Sequence, residues 1–173
     1  MSKSIIHFFF LFIIMILTQV IIFNNLCLFN VAMPIVFIYF IIKLPVTLST
    51  NWALTFSFSL GLLIDIFSDT LGMNTLACTI VAMMRRSVLR LYFPREDDLT
   101  NPEPSIKSLG IGVYANYLFT IVLIYCTLIF LIESFSIFNL GLLILRIIAS
   151  SVLTFLLIIG IDSLTIRQRE KRL

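Results

Sequence analysis

Two charged residues set within apolar stretches, Asp65 and Arg146, have the residue type and placement to do chemistry. Left ionised and alone in hydrocarbon, each would cost roughly 3 kcal/mol or more. Asp65 follows Ser57 and Gly61 at four-residue intervals and precedes Asp69, a spacing that holds all four on one helical face. The residues Arg146, Ser150 and Thr154 repeat the spacing, as do Gly112, Asn116 and Thr120, and more weakly Asn74, Cys78 and Ala82. In a helix surrounded by lipid, small and polar residues mark the faces where helices meet. These stripes therefore predict a bundle whose interior is more polar than its exterior.

Hydropathy predicts the elements that position these residues. Six apolar helices fall at about residues 5–23, 26–42, 52–68, 72–92, 108–132 and 140–161. Asn24-Asn25 supplies a turn, Pro34 is expected to bend the second helix, Lys43 to snorkel at its end, and Trp52 to anchor at the interface. Residues 93–107 form a proline- and charge-rich loop, and residues 162–173 a basic tail. Lys3 ahead of the first apolar run resembles a signal peptide, but no small-residue cleavage site follows, so the run is expected to stay as a span.

Basic residues orient the bundle. Of the twelve Lys and Arg residues, all but Arg146 fall in the N-terminus, the second–third loop, the end of the fourth helix with the loop after it, or the tail. Six crossings put these regions on one side, and the positive-inside rule makes that side cytoplasmic, with both termini there. Asp65 then lies about one turn from the outer end of its helix, and Arg146 roughly 9 Å below the outer boundary at ~1.5 Å per residue. At such depths they can pair across the bundle. The other arrangement has Asp65 reaching outer water while Arg146 snorkels separately.

The same depths argue against an aspartyl-protease dyad of Asp65 and Asp162, because two carboxylates must be close to share a proton. The chain has no G-x-S-x-G, H-E-x-x-H or phosphate-binding glycine loop. His7 is the only histidine, and Cys27, Cys78 and Cys126 lie in apolar runs without metal-ligand or disulfide spacing. No enzyme, cofactor or metal is expected. The basic face Arg85, Arg86 and Arg90 suits anionic lipid or a cytoplasmic protein, although the positive-inside pattern alone accounts for it. With 60% hydrophobic and 12% charged residues, the chain has more apolar surface than one core could hide, and lipid must cover the surplus. A net charge of +3 gives nucleic-acid binding little support.

The run from Gly61 to Ala77, GLLIDIFSDTLGMNTLA, carries a resemblance. It is similar to the signature of the bacterial rod shape-determining protein MreD family, in which G-L-x-x-D closes one helix and L-G-x-x-A-L or a close variant opens the next. Gly61, Leu62, Asp65, Leu71 and Gly72 match, and Thr75-Leu76-Ala77 fit more loosely. The architecture agrees over the whole chain, the sequence over these seventeen residues. The resemblance implies an all-α, six-helix inner-membrane bundle like the substrate-binding subunits of energy-coupling-factor transporters. It also implies a non-enzymatic scaffold of cell elongation. Its partners would be an MreC-like bitopic protein, actin-like MreB filaments and a peptidoglycan polymerase–transpeptidase pair. The motif residues Gly61, Asp65, Ser68, Asp69, Gly72 and Asn74 are then expected to be structural, with the glycines allowing close backbone approach and Asp65 or Asp69 capping the fourth helix. The alternative is a vitamin-binding carrier subunit of the same architecture.

Overall fold

A computed structural model describes residues 2–23, 32–92, 104–133 and 140–170. The Asn24-Asn25 turn, Cys27, most of the charged loop with Asp97-Asp98, and the last three residues lie outside them. So do the side chains of His7 and of the basic residues of the tail.

The described chain is helical: α1 Ser2–Thr18 running into a π-helical turn Gln19–Phe23, α2 Ile38–Lys43, α3 Thr50–Ser68, α4 Met73–Tyr92, α5 Ile106–Leu109, α6 Ile111–Glu133 and α7 Leu140–Glu170. Among the described residues, three helices are long and apolar enough to cross a membrane, within Thr50–Ser68, Ile111–Glu133 and Leu140–Ser163. Helix α4 is of similar length but carries Arg85, Arg86 and Arg90. The main packing order is α3 on α4, α4 on α6 and α6 on α7, with α1 and α2 against this row. Small residues on α4 make the row possible. Thr75, Cys78, Ala82 and Arg85 are buried at helical spacing, and Ala77 and Val81 widen that face.

Helix α6 presents Tyr114, Tyr117, Leu118, Ile121, Val122, Tyr125 and Cys126 to the interior. That face corrects the expected interior stripe of Gly112, Asn116 and Thr120. Gly112 and Asn116 are exposed, because the tyrosines occupy the core side of the same helix. Large apolar residues also cover the outside, among them Phe9, Phe10 and Leu17 on α1 and Leu140, Ile148 and Leu156 on α7. Such an exterior suits lipid.

The second apolar stretch is not one helix. Residues 33–37 are non-helical and the described helix is Ile38–Lys43, so Pro34 lies in a non-helical segment rather than bending a helix. Proline has no N–H and disfavours helical geometry in the residue before it. Broken backbone inside a bundle must find other partners, and here side chains supply them. Met33 N–H donates to Ser150 Oγ (3.0 Å) and Ile35 N–H to Thr154 Oγ1 (3.1 Å), while Val36 N–H donates to Gln19 Oε1 (3.0 Å). Gln19 Nε2 in turn donates to the Pro34 carbonyl at 3.1 Å. Residues 34–42 are buried throughout.

Thr154→Val keeps the shape and removes one acceptor, leaving the buried Ile35 N–H without a partner. We expect it to lower stability by ~1–3 kcal/mol. Ser150→Ala strands the Met33 N–H in the same way and should cost a similar amount, because lipid offers no replacement acceptor. Thermal melts in mild detergent test both, and a silent Thr154→Val would contradict the assignment.

Candidate functional site

The most densely bonded site is the junction of α3 and α4, where Gly61 and Asp65 face the first turn of α4. A Cβ on Gly61 would lie 2.5 Å from Thr75 Cα and 2.8 Å from Asn74 O, closer than any real contact. Only glycine lets the two backbones meet there. One turn later the buried Asp65 carboxylate receives the free N–H groups at the start of α4. Asn74 N–H donates to Oδ1 at 3.1 Å and Thr75 N–H to Oδ2 at 2.7 Å. The Thr70 and Thr75 hydroxyls donate to Oδ1 and Oδ2, both at 2.5 Å, and Asn74 Nδ2 to Oδ1 at 3.0 Å. Asp65 sits at the unfavourable C-terminal end of its own helix. Direct bonds to the N-terminal amides of the next one outweigh that dipole.

The network reaches a third helix through Tyr125 of α6, whose hydroxyl donates to Asn74 Oδ1 at 2.6 Å. Asp69 does not cap α4. It ends α3 in the left-handed region at φ 53°, its N–H donating to the Asp65 carbonyl. Gly72 also differs from expectation. Nothing lies within 4 Å of where its Cβ would be, and its requirement is conformational, at φ +77°. Ser68 closes α3 and takes no part in the carboxylate's bonds. Between the two left-handed residues Leu71 projects fully into the surroundings, at 101% exposure.

Gly61→Ala should cost ~1–3 kcal/mol by forcing the start of α4 away. Gly72→Ala has room and pays backbone strain alone. The two melts should therefore separate, and equal values would contradict the close approach.

A second polar centre was not legible from the sequence. Lys43 does not snorkel. It is buried, with Nζ 2.7 Å from Asp162 Oδ1, donating to the Pro104 carbonyl at 3.2 Å and lying over the rings of Tyr39 and Tyr114. The Tyr39 hydroxyl donates to the same Asp162 oxygen at 2.9 Å. One clue was available: Tyr39 and Lys43 are four residues apart, which puts them on one side of α2.

The pair Asp65–Arg146 does not form. Asp65 is fully bonded within the α3–α4 junction, whereas Arg146 lies 3.7 Å from Glu133, at the end of the α6 helix that α7 packs against. The basic face is corrected as well. Arg85 is buried, its guanidinium donating to the carbonyls of Ile41 (3.3 Å), Leu44 and Pro45 (3.0 Å), and Arg86 donates to Val46 O at 3.0 Å. Helix α2 ends at Lys43 and Pro45 has no N–H, so the carbonyls of the last turn lack helical donors and the arginines serve them, Arg85 sharing the Pro45 carbonyl with the Leu48 N–H. Arg90 remains on the surface.

Comparison with protein-family models, curated proteins and solved structures finds no match.

Proposed function

We propose that the chain is a non-enzymatic scaffold of the MreD type in the bacterial cytoplasmic membrane. In this reading it forms a six-span bundle with both termini cytoplasmic, and it supports side-wall peptidoglycan synthesis by docking an MreC-like bitopic partner. The observation that carries the reading is the α3–α4 junction. Its polar groups are bonded to one another, which leaves a rigid turn whose outward feature is the bare side chain of Leu71. A site built this way offers a fixed shape to a partner helix or loop, and apolar packing is what holds helices together in lipid.

The carrier reading has one observation in its favour, the broken second segment, since discontinuous helices build substrate sites in transporters. Its N–H groups at Met33, Ile35 and Val36, however, are already held by Ser150, Thr154 and Gln19.

The test is purification of the tagged protein in mild detergent, with identification of co-purifying proteins and small molecules. A bitopic protein with wall synthases is the expected result. Leu71→Asp should reduce their recovery ~10-fold, by analogy with loss of a buried interface anchor, without changing the melt. An ATP-binding cassette module with a stoichiometric vitamin-sized ligand would overturn the scaffold in favour of the carrier.

A further inference from the structure

Helices α6 and α7 carry a charged pair that the bundle leaves open. Arg146 Nη1 lies 3.7 Å from Glu133 Oε1, and the two side chains are 34% and 38% exposed. That distance is longer than an N–H···O hydrogen bond, so the guanidinium fork and the carboxylate both keep bonding capacity for a third group. The pair stands at a membrane boundary. Glu133 is the last residue of one helix apolar enough to span, and Arg146 is in the second turn of the next, which starts at Leu140. Helical side chains lean toward the N-terminus of their own helix. Arg146 therefore reaches back toward the boundary and Glu133 reaches inward from it, and they meet just beneath the end of α6. The flanking surface is apolar, with Leu131, Leu142 and Leu145 exposed.

The two charges select what can bind there. A simple anion would suit Arg146 and be repelled by Glu133, and a simple cation the reverse. A group bearing both signs serves both. Phosphatidylethanolamine does so with a phosphate, which a guanidinium holds by two parallel bonds, and a primary ammonium, which donates to a carboxylate. Phosphatidylcholine carries the same charges, but its quaternary ammonium has no N–H to give. Phosphatidylglycerol has the phosphate without the cation. A partner's transmembrane helix would have to bring two opposite charges into the membrane at one level, each costly to insert. Headgroups already carry theirs at that level.

We infer that Glu133 and Arg146 form a headgroup site for one phosphatidylethanolamine molecule. Its phosphate is held by Arg146, its ammonium by Glu133, and its acyl chains lie along Leu131, Leu142 and Leu145. In the topology proposed above this is the outer leaflet, but the site depends neither on that orientation nor on which partner the bundle docks.

The experiment is native mass spectrometry of the protein released from nanodiscs that hold equal amounts of phosphatidylethanolamine, phosphatidylglycerol and phosphatidylcholine with the same acyl chains. The reading is the lipid that stays on the protein. Phosphatidylethanolamine should be retained ~10-fold over each of the others, the worth of one charge-assisted hydrogen bond. Glu133→Gln should erase that preference, and Arg146→Gln should lower the retention of all three lipids. Both positions are partly exposed, so the variants should fold, which their thermal melts check. The parent protein alone can refute the inference. Equal retention of the three lipids would overturn it and leave the pair to a partner's helix. Phosphatidylglycerol held as well as phosphatidylethanolamine would remove the role of Glu133. A preference that survives both substitutions would place the lipid elsewhere and overturn the site.

Discussion

Asp65→Ala should destabilise the protein by roughly 3–5 kcal/mol, since it strands several buried donors at ~1–3 kcal/mol each, partly relieved by relaxation. The donors concerned are the N–H groups of Asn74 and Thr75, the hydroxyls of Thr70 and Thr75 and the Asn74 amide. The loss should not stay local. Asn74 also accepts from Tyr125, so the contact of α4 with α6 loosens along with that of α4 with α3. Asp65→Asn gives a graded comparison. Its amide offers one acceptor oxygen, keeping the bonds of one side of the carboxylate and losing the other. The order of melting temperatures in detergent should be parent, then Asn, then Ala. Variants that both melt with the parent would mean that the carboxylate's bonds contribute nothing to the junction.

The second large effect concerns Lys43→Met, which leaves the buried Asp162 carboxylate without its counter-charge, held by neutral donors such as the Tyr39 hydroxyl. Removing one member of a buried pair typically costs ~3–5 kcal/mol, whereas replacing both by apolar side chains of similar volume is often close to neutral. The double variant Lys43→Met/Asp162→Leu should therefore recover most of the stability lost in Lys43→Met. Asp162→Leu alone should be milder, because Lys43 keeps the Pro104 carbonyl and two aromatic faces. A double variant no more stable than Lys43→Met would show that the charges do not act as a pair.

Much of the α3–α4 junction was open to sequence reasoning because its logic is local. Gly61 and Asp65 share a helix face, the chain turns within a few residues, and a carboxylate near a helix start seeks free N–H groups. Which aspartate would cap depended on where α3 stopped. The left-handed conformation of Asp69 turns the chain so that Asp65, one turn earlier, meets Asn74 and Thr75.

The positions of Lys43, Arg85 and Arg146 were misread for a common reason. Segment and depth alone supply the expectations for them: a snorkelling lysine, a cytoplasmic basic cluster, and an arginine that either pairs with Asp65 or snorkels separately. Their real partners are distant in the chain: Asp162 for Lys43, the carbonyls of residues 41, 44 and 45 for Arg85, and Glu133 for Arg146. Depth in a membrane restricts a pairing without choosing among neighbours.

By itself the sequence determined that the chain is apolar enough to need lipid, that long helices dominate it, and that Gly61 and Asp65 share a helix face. These follow from composition and from periodicities that each segment carries alone. The tertiary structure decided that Pro34 breaks the second segment and that Gln19, Ser150 and Thr154 hold the broken backbone. It also decided that Lys43 and Arg85 turn inward and that the tyrosines of α6 form the core. Those outcomes rest on which helices are neighbours, because a buried N–H, carbonyl or charge takes whatever partner the packing brings within reach.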